Sequence, residues 1–391
     1  MKNLILLITI ILSISVSVNA CSMYKITRDG KTIVGNNEDW ISPNNQFWFD
    51  PGEDGEYGVM NIGLLNNFAQ GAINEAGLVF DGFANPYLEV KNLDGKISIP
   101  IGEAVQKIMH SFENVREVKK YLASINLQSL SSGQLVFVDK TGEYLIVEGD
   151  ELILGKEAEK TFSNFYYSQI NSVEEVELPN VQNGLEFMKK STAKCSFNYC
   201  GSVMKSLSNP DGYTQYSTIY DLDKLTIRVY LFHDYSQFVE IDLLKELKSG
   251  SHRFMIADLF PKESKGFQHF FKYNDPNNPT GFIKEWIGEE NRSEKELIEN
   301  GFAYNINLIG YEWLYDKNNI EGAINIFKFG IELMPNDANL YDSLGEAYLA
   351  NKNYNDAIKN YAHSLMLNPD NATAIDELSR IKKEKEETSK K

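Results

Sequence analysis

Cysteine is scarce in this 391-residue chain: there are three, Cys21, Cys195 and Cys200. That excludes a disulfide-framed scaffold. The five histidines, His110, His233, His252, His269 and His363, are scattered, and none has metal-ligand spacing with another His or a Cys. No Gly-x-Ser-x-Gly elbow and no phosphate-cradling Walker loop occurs, so no cofactor and no metal are expected. Positive charge is also short. Lys and Arg number 38 against 55 Asp and Glu, for a net charge of -17, which argues against nucleic acid as a partner. One uncharged, largely apolar run, Leu4 to Val18, stands at the N-terminus. It falls short of the roughly 20 residues that span a bilayer, and no second run is long enough.

That run follows Met1-Lys2-Asn3 and ends in Val18-Asn19-Ala20, the pattern of an export signal cleaved after Ala20. The mature chain is then expected to begin at Cys21 and to be exported, periplasmic or extracellular. A second reading competes: the same segment partly resembles a lipoprotein signal, in which Cys21 is acylated and anchors the protein. Export also permits a disulfide between Cys195 and Cys200. The alternative is two reduced thiols, and the sequence leaves both open.

From Ser22 to about Leu244 the texture is mostly strand. Met23 to Thr27 and Thr32 to Gly35 flank an Asp29-Gly30 turn, the signature of a hairpin. Leu135 to Val138 and Tyr144 to Val147 form another, and Thr218 to Tyr220, Leu225 to Phe232 and Phe238 to Ile241 read as late strands. Ile101 to Phe112 and Val115 to Leu122 have helical spacing. An α+β domain is expected over 21–248, after the signal 1–20. An aromatic-rich connector spans 249–292. An all-α region, 293–391, follows. There Ala323 recurs as Ala357, Phe327 as Tyr361 and Pro335 as Pro369, each 34 residues on. This period resembles the tetratricopeptide repeat, with Ala372 to Lys385 as a capping helix. Two repeats are few for an independent stack, so the first helix needs a cover, and Phe267, Phe270, Phe271 and Trp286 of the connector are candidates.

An N-terminal cysteine carries a thiol and a free α-amine on one residue. The amine, with an ordinary pKa of about 8, can accept the thiol proton, so nucleophile and base come together. The run Cys21-Ser-Met-Tyr-Lys-Ile-Thr27, a turn, then Ile33-Val-Gly35-Asn36-Asn37-Glu38-Asp39-Trp40 resembles the start of the choloylglycine hydrolase and penicillin V acylase family, the linear-amide cysteine N-terminal nucleophile hydrolases. Further segments fit in order: Gly71-Ala-Ile-Asn74-Glu75-Ala-Gly77-Leu78, Gly82-Phe-Ala-Asn85-Pro86, Ile99-Pro100, the Asp139 to Gly142 turn ending in Val147-Glu148, Thr161-Phe-Ser-Asn164 and Tyr213-Thr214. The resemblance covers about Cys21 to Asp242.

It implies a four-layer αββα N-terminal nucleophile hydrolase sandwich. It further implies Cys21 as nucleophile, Asp39 beside the cysteine amine and Asn164 as oxyanion donor, with Asn85 and Asn36 as weaker site candidates. Two departures stand out. The arginine of the family's Gly-Arg-Asn-x-Asp segment is Asn36 here, and its later arginine has no clean counterpart, Lys189 and Lys190 being the nearest cations. The expected function is hydrolysis of a linear, non-peptide C–N amide bond of a small molecule. Alternatives are acyl transfer by the same chemistry, or a degenerate, lipid-anchored scaffold that binds a protein partner through its repeats.

Overall fold

The structure is a computed structural model and describes residues 21–191, 195–209, 214–288, 293–299 and 301–388. The expected signal, 1–20, lies outside the described residues, as do Tyr213 and residues 289–292. The chain divides into two compact units, with the boundary between Asp275 and Pro276.

The first unit opens with the expected hairpin, β1 (Ser22–Arg28) and β2 (Lys31–Asp39). Asp29 and Gly30 between them have φ of 54° and 74°, as a two-residue turn that matches strand twist requires. β3 (Asn45–Asp50), β4 (Val59–Leu64), β5 (Ala69–Asn74) and β6 (Val79–Ala84) form an antiparallel meander. A short parallel pair, β7 (Ile97–Ser98) and β8 (Ile125–Asn126), brackets the helices α1 (Ile101–Ser111) and α2 (Val115–Leu122). Then come β9 (Gly133–Val138), β10 (Tyr144–Glu148), β11 (Glu151–Gly155) and β12 (Glu159–Ser163). The helices α3 (Pro179–Lys190) and α4 (Phe197–Leu207) follow, and after them β13 (Thr214–Asp221), β14 (Thr226–Leu231) and β15 (Val239–Asp242). α5 (Leu243–Lys248), β16 (His252–Met255) and α6 (Lys265–Tyr273) complete the unit.

The strands build two sheets, six-stranded in the order β12-β1-β2-β13-β14-β15 and eight-stranded in the order β11-β10-β9-β6-β5-β4-β3-β16. Strand alternation sorts the side chains into layers. Met23, Val34, Tyr216 and Tyr220 of the first sheet meet Phe47, Ile62, Ile73 and Val136 of the second in one shared core. The opposite face of the first sheet, Tyr24, Ile26, Ile33 and Ile219, is covered by α3 and α4 through Met188, Val203, Met204 and Leu207. The opposite face of the second is covered by α1 and α2 through Val105, Ile108, Val118 and Leu122. The layers therefore run αββα. Each fully buried Leu, Ile or Phe contributes about 1.5–3 kcal/mol to that stack.

The expected connector, 249–292, is divided by the structure. β16 pairs antiparallel with β3, and Phe254 meets the rings of Phe47 and Phe49. Phe267 and Phe270 pack against the core between the sheets. The backbone of β16 thus pairs the β3 edge of the eight-stranded sheet, which would otherwise be open, while the apolar side chains of 249–275 pack against the core.

The second unit contains α7 (Gly281–Ile287), α8 (Glu294–Glu299), α9 (Phe302–Tyr311), α10 (Ile320–Leu333), α11 (Ala338–Ala350), α12 (Tyr354–Leu367) and α13 (Ala372–Thr388). Trp286 covers Phe302 at the start of α9, with ring centroids 4.4 Å apart. The repeat is visible in its details. Asn319 and Asn353 cap α10 and α12 by accepting from the backbone N–H of Gly322 and Asp356. Ala323 and Ala357 are fully buried. The ring of Phe327 lies on Gly310 and that of Tyr361 on Gly345, where a Cβ would collide. Among the described residues no helix is long and apolar enough to cross a membrane.

One glycine holds α4 close to the site-bearing hairpin. A Cβ on Gly35 of β2 would lie 2.7 Å from Met204 Cγ and 2.9 Å from Cys200 Sγ. Gly35→Ala is expected to lower unfolding stability in denaturant by about 1–3 kcal/mol, the usual range for overpacking. An unchanged midpoint would show that α4 yields freely.

Candidate active site

Cys21 immediately precedes β1, which lies inside its sheet and is paired on both sides. Ser22 is in register with Asn37 of β2 and with Ser163 of β12. Ser163 Oγ also donates to the Cys21 carbonyl at 2.6 Å. The thiol is 8% exposed and belongs to the core between the sheets. Its sulfur lies 3.4 Å from the backbone N of Asp39, which donates to it, and 3.7 Å from the Asp39 carbonyl oxygen.

The hairpin therefore brings Asp39 to Cys21, but through its peptide groups. The Asp39 carboxyl turns to Thr214, whose Oγ1 donates to Oδ1 at 2.6 Å, while Oδ2 is buried without a partner. A β-bulge makes this contact: Thr214 pairs with Asp39 and Tyr216 with Glu38, so Gln215 is the extra residue of β13. Burial pushes the Asp39 carboxyl up to about 8, with the Thr214 hydrogen bond working against it. The Cys21 thiol is likewise raised well above its ordinary value, by burial first and then by the charges of Glu38, Asp39 and Asp81.

Asn164 follows β12 directly. Extending the β1–β12 register by one residue puts it opposite Cys21. Its Nδ2 donates to the Ala84 carbonyl at 2.6 Å, at the end of β6, and its Oδ1 is buried without a partner. Asn85, the next residue along from Ala84, is buried, with neither side-chain polar atom bonded. Cys21, Asp39, Asn164 and Asn85 thus gather where β1, β2, β12 and β6 end or begin. Asn36 does not join them: it sits deeper in β2, opposite Met23 and Thr218, on the face toward the second sheet. Lys189 and Lys190 are exposed and bond Glu174 and Glu186, so neither supplies a cation to the thiol. Cys195 and Cys200 are both free thiols.

Gln70, Asp81 and Tyr216 were not singled out in the sequence, and Glu38 and Thr214 stood there only within matched segments, with no role assigned. The alternation Val34, Asn36, Glu38 already puts Glu38 inward, and Val79, Asp81, Phe83 does the same for Asp81. What that alternation cannot tell is that these strands face each other across the core. Among the described residues no group of His, Cys, Asp and Glu could hold a metal.

The Asp39 shift has a consequence for stability. A carboxyl whose pKa rises from 3.8 unfolded to about 8 folded binds more protons in the native state, so stability falls as pH rises through that window. In a chain whose Cys21 is still joined to residue 20, Asp39→Asn is expected to flatten the decline in melting temperature between pH 4 and 8 (the window set by those two values). Parallel curves for both proteins would show that Asp39 is not a main source of the decline.

Comparison with known proteins adds the following. Residues 338–371 match the tetratricopeptide repeat family. No curated protein matches the chain. Among solved structures, the chain is similar to a mutant of the conjugated bile acid hydrolase from Clostridium perfringens, with 17% identity and a TM-score of 0.45, over 60% of this chain and 96% of that one. It is also similar to penicillin V acylase from Agrobacterium tumefaciens, with 15% identity and a TM-score of 0.45, over 60% of this chain and 90% of that one.

Proposed function

We propose that the protein is an exported hydrolase of linear C–N amide bonds, in which removal of residues 1–20 makes Cys21 an N-terminal nucleophile. The observation that carries this reading is the setting of Cys21: a buried thiol at the start of a doubly paired strand, beside the Asp39 N–H and opposite Asn164. Near it stand Asn164, whose Oδ1 has no partner, and Asn85, whose amide has none on either polar atom.

The thiol is a poor nucleophile while Cys21 N is a peptide nitrogen. Burial and the nearby carboxylates hold it protonated. Cleavage creates an amine on the same residue, and the thiol proton moves to that nitrogen. The thiolate then attacks the amide carbonyl. The resulting oxyanion is held by backbone N–H and by Asn164 Nδ2, once that group turns from the Ala84 carbonyl. Collapse expels the amine product, which takes the proton from the Cys21 ammonium, and leaves a thioester. Water attacks the thioester with the Cys21 amine as base, releasing the acid and restoring the thiol.

The helical unit extends the proposal. Tetratricopeptide repeats stack into concave surfaces that bind partner segments. We assign a protein partner to this unit and the chemistry to residues 21–275.

The intact mass of the exported protein should correspond to a chain beginning Cys21-Ser22-Met23 without lipid. Cys21→Ala should abolish turnover of linear N-acyl anilides while the protein remains folded by circular dichroism. Asn164→Ala should lower kcat by about 10²–10³, the usual loss of one oxyanion donor. Lipid on Cys21, or turnover in Cys21→Ala equal to wild type, contradicts the mechanism.

A further inference from the structure

Behind the thiol, the space between the two sheets is lined by acids and amides where aliphatic side chains would ordinarily pack. Asn36 and Glu38 of β2, Tyr216 of β13, Gln70 of β5 and Asp81 of β6 are all buried there. Glu38 Oε1 accepts from Gln70 Nε2. Gln70 Oε1 in turn accepts from Asn45 Nδ2 at 3.2 Å and Tyr216 Oη at 3.4 Å, which fixes the orientation of its amide. Glu38 is thus aimed by a chain of bonds that joins the two sheets. Its second oxygen, Asp81 Oδ1 and both polar atoms of the Asn36 amide are buried with no partner, although Asn36 is only 1% exposed.

The titratable groups around Glu38 are Cys21 just before β1, Asp39 from β2, Tyr216 and Tyr220 from β13 and Asp81 from β6; every one is an acid. Among the described residues no Lys, Arg or His pairs with Glu38, Asp39 or Asp81. Glu38 and Asp81 are both pushed well above the ordinary carboxyl range, by burial first and, for Glu38, by Asp81 next. Ionising either carboxyl creates a buried anion beside other acids, and among the described residues no cation faces it. Each charge formed here therefore calls for a cation.

The structure identifies one position where a cation appears by chemistry alone. Extending the β1–β2 register by one residue, from Ser22 opposite Asn37, puts Glu38 opposite Cys21, with both side chains in the space between the sheets; its charge also bears on the thiol, ahead of those of Asp39 and Asp81. Cutting the bond between residues 20 and 21 turns the neutral peptide nitrogen of that same residue into an α-ammonium.

We infer that Glu38, together with Asp81, is a positioning residue that supplies the countercharge for the Cys21 α-ammonium created by removal of residues 1–20. The inference rests on the proposed N-terminal cysteine. Its consequence is that cleavage does two things at once. It generates the base, and it provides the cation that the buried pair lacks. When the thiol proton moves to nitrogen, the ammonium forms beside a fixed anion, which offsets the cost of a buried cation and raises the basicity of the amine. The pair acts through the amine and touches neither the substrate nor the reacting carbonyl.

The test is a titration of the amine in the mature, full-length protein with isotope-labelled cysteine, following the Cys21 Cα and Cβ resonances against pH. Glu38→Gln and Asp81→Asn are each expected to lower the amine pKa by about one unit or more, the usual effect of removing an opposite charge within a few ångström. Glu38→Asp keeps the charge and should retain most of the wild-type value, which a merely structural role would not predict. Should one neutral variant fail to fold, the other carries the comparison. An amine that titrates alike in wild type and in a folded neutral variant overturns the inference and leaves the pair for a cation brought by the substrate. The two readings fail separately. Turnover that depends on Cys21, with an amine insensitive to the pair, defeats this inference alone. A pair-sensitive amine with no turnover on any amide defeats the proposed function alone.

Discussion

Cys21 stands at the head of a strand in the interior of a β-sheet, and the rest of the site depends on that constraint. Here the backbone next to Cys21 is held on one side by β2 and on the other by β12, and the Cys21 carbonyl takes a further bond from Ser163. Each neighbouring strand then delivers one component. The length of the β1–β2 hairpin sets Asp39 against the sulfur, the β12 register sets Asn164 opposite it, and the contact from Asn164 to Ala84 ties in the end of β6 and with it Asn85. A residue inserted in the Asp29-Gly30 turn would shift β2 and exchange its inward and outward faces.

The second determinant is burial of acids without cations. A carboxylate taken out of water costs several kcal/mol unless it is paired, far more than one hydroxyl donor such as Thr214 returns. The carboxyls Glu38, Asp39 and Asp81 therefore hold their protons more tightly than in water, and so does the thiol among them. On the proposed function, the uncut chain holds these groups as an unreactive cluster, and the same arrangement becomes competent when cleavage before Cys21 creates a nitrogen base within it.

Much of this was legible in the sequence, and the parts that were not share a cause. The first hairpin was readable because strand alternation and an Asp-Gly turn are local signals, and both turn residues adopt the positive φ they imply. The helical repeat was readable because a 34-residue period survives any three-dimensional arrangement. Asn164 and Asn85 were singled out through motif order, and the structure places them at the ends of β12 and β6. The direction of the Asp39 carboxyl was not, because it depends on a bulge in β13, a strand far away in sequence. Glu38 and Asp81 escaped for a similar reason: each is plainly inward on its own strand, but their meeting is a property of how two sheets stack. β16 escaped because a four-residue edge strand inside an aromatic, proline-containing stretch carries too little periodicity to be seen before its partner β3 is known.

The most direct measurement of the central claim is peptide mapping of the mature protein after acid quench during turnover of an activated N-acyl amide. A single acyl group on Cys21, released by hydroxylamine as a thioester should be, is the predicted result. Acyl label on Cys195 or Cys200, or product formation with Cys21 never acylated, would contradict the account.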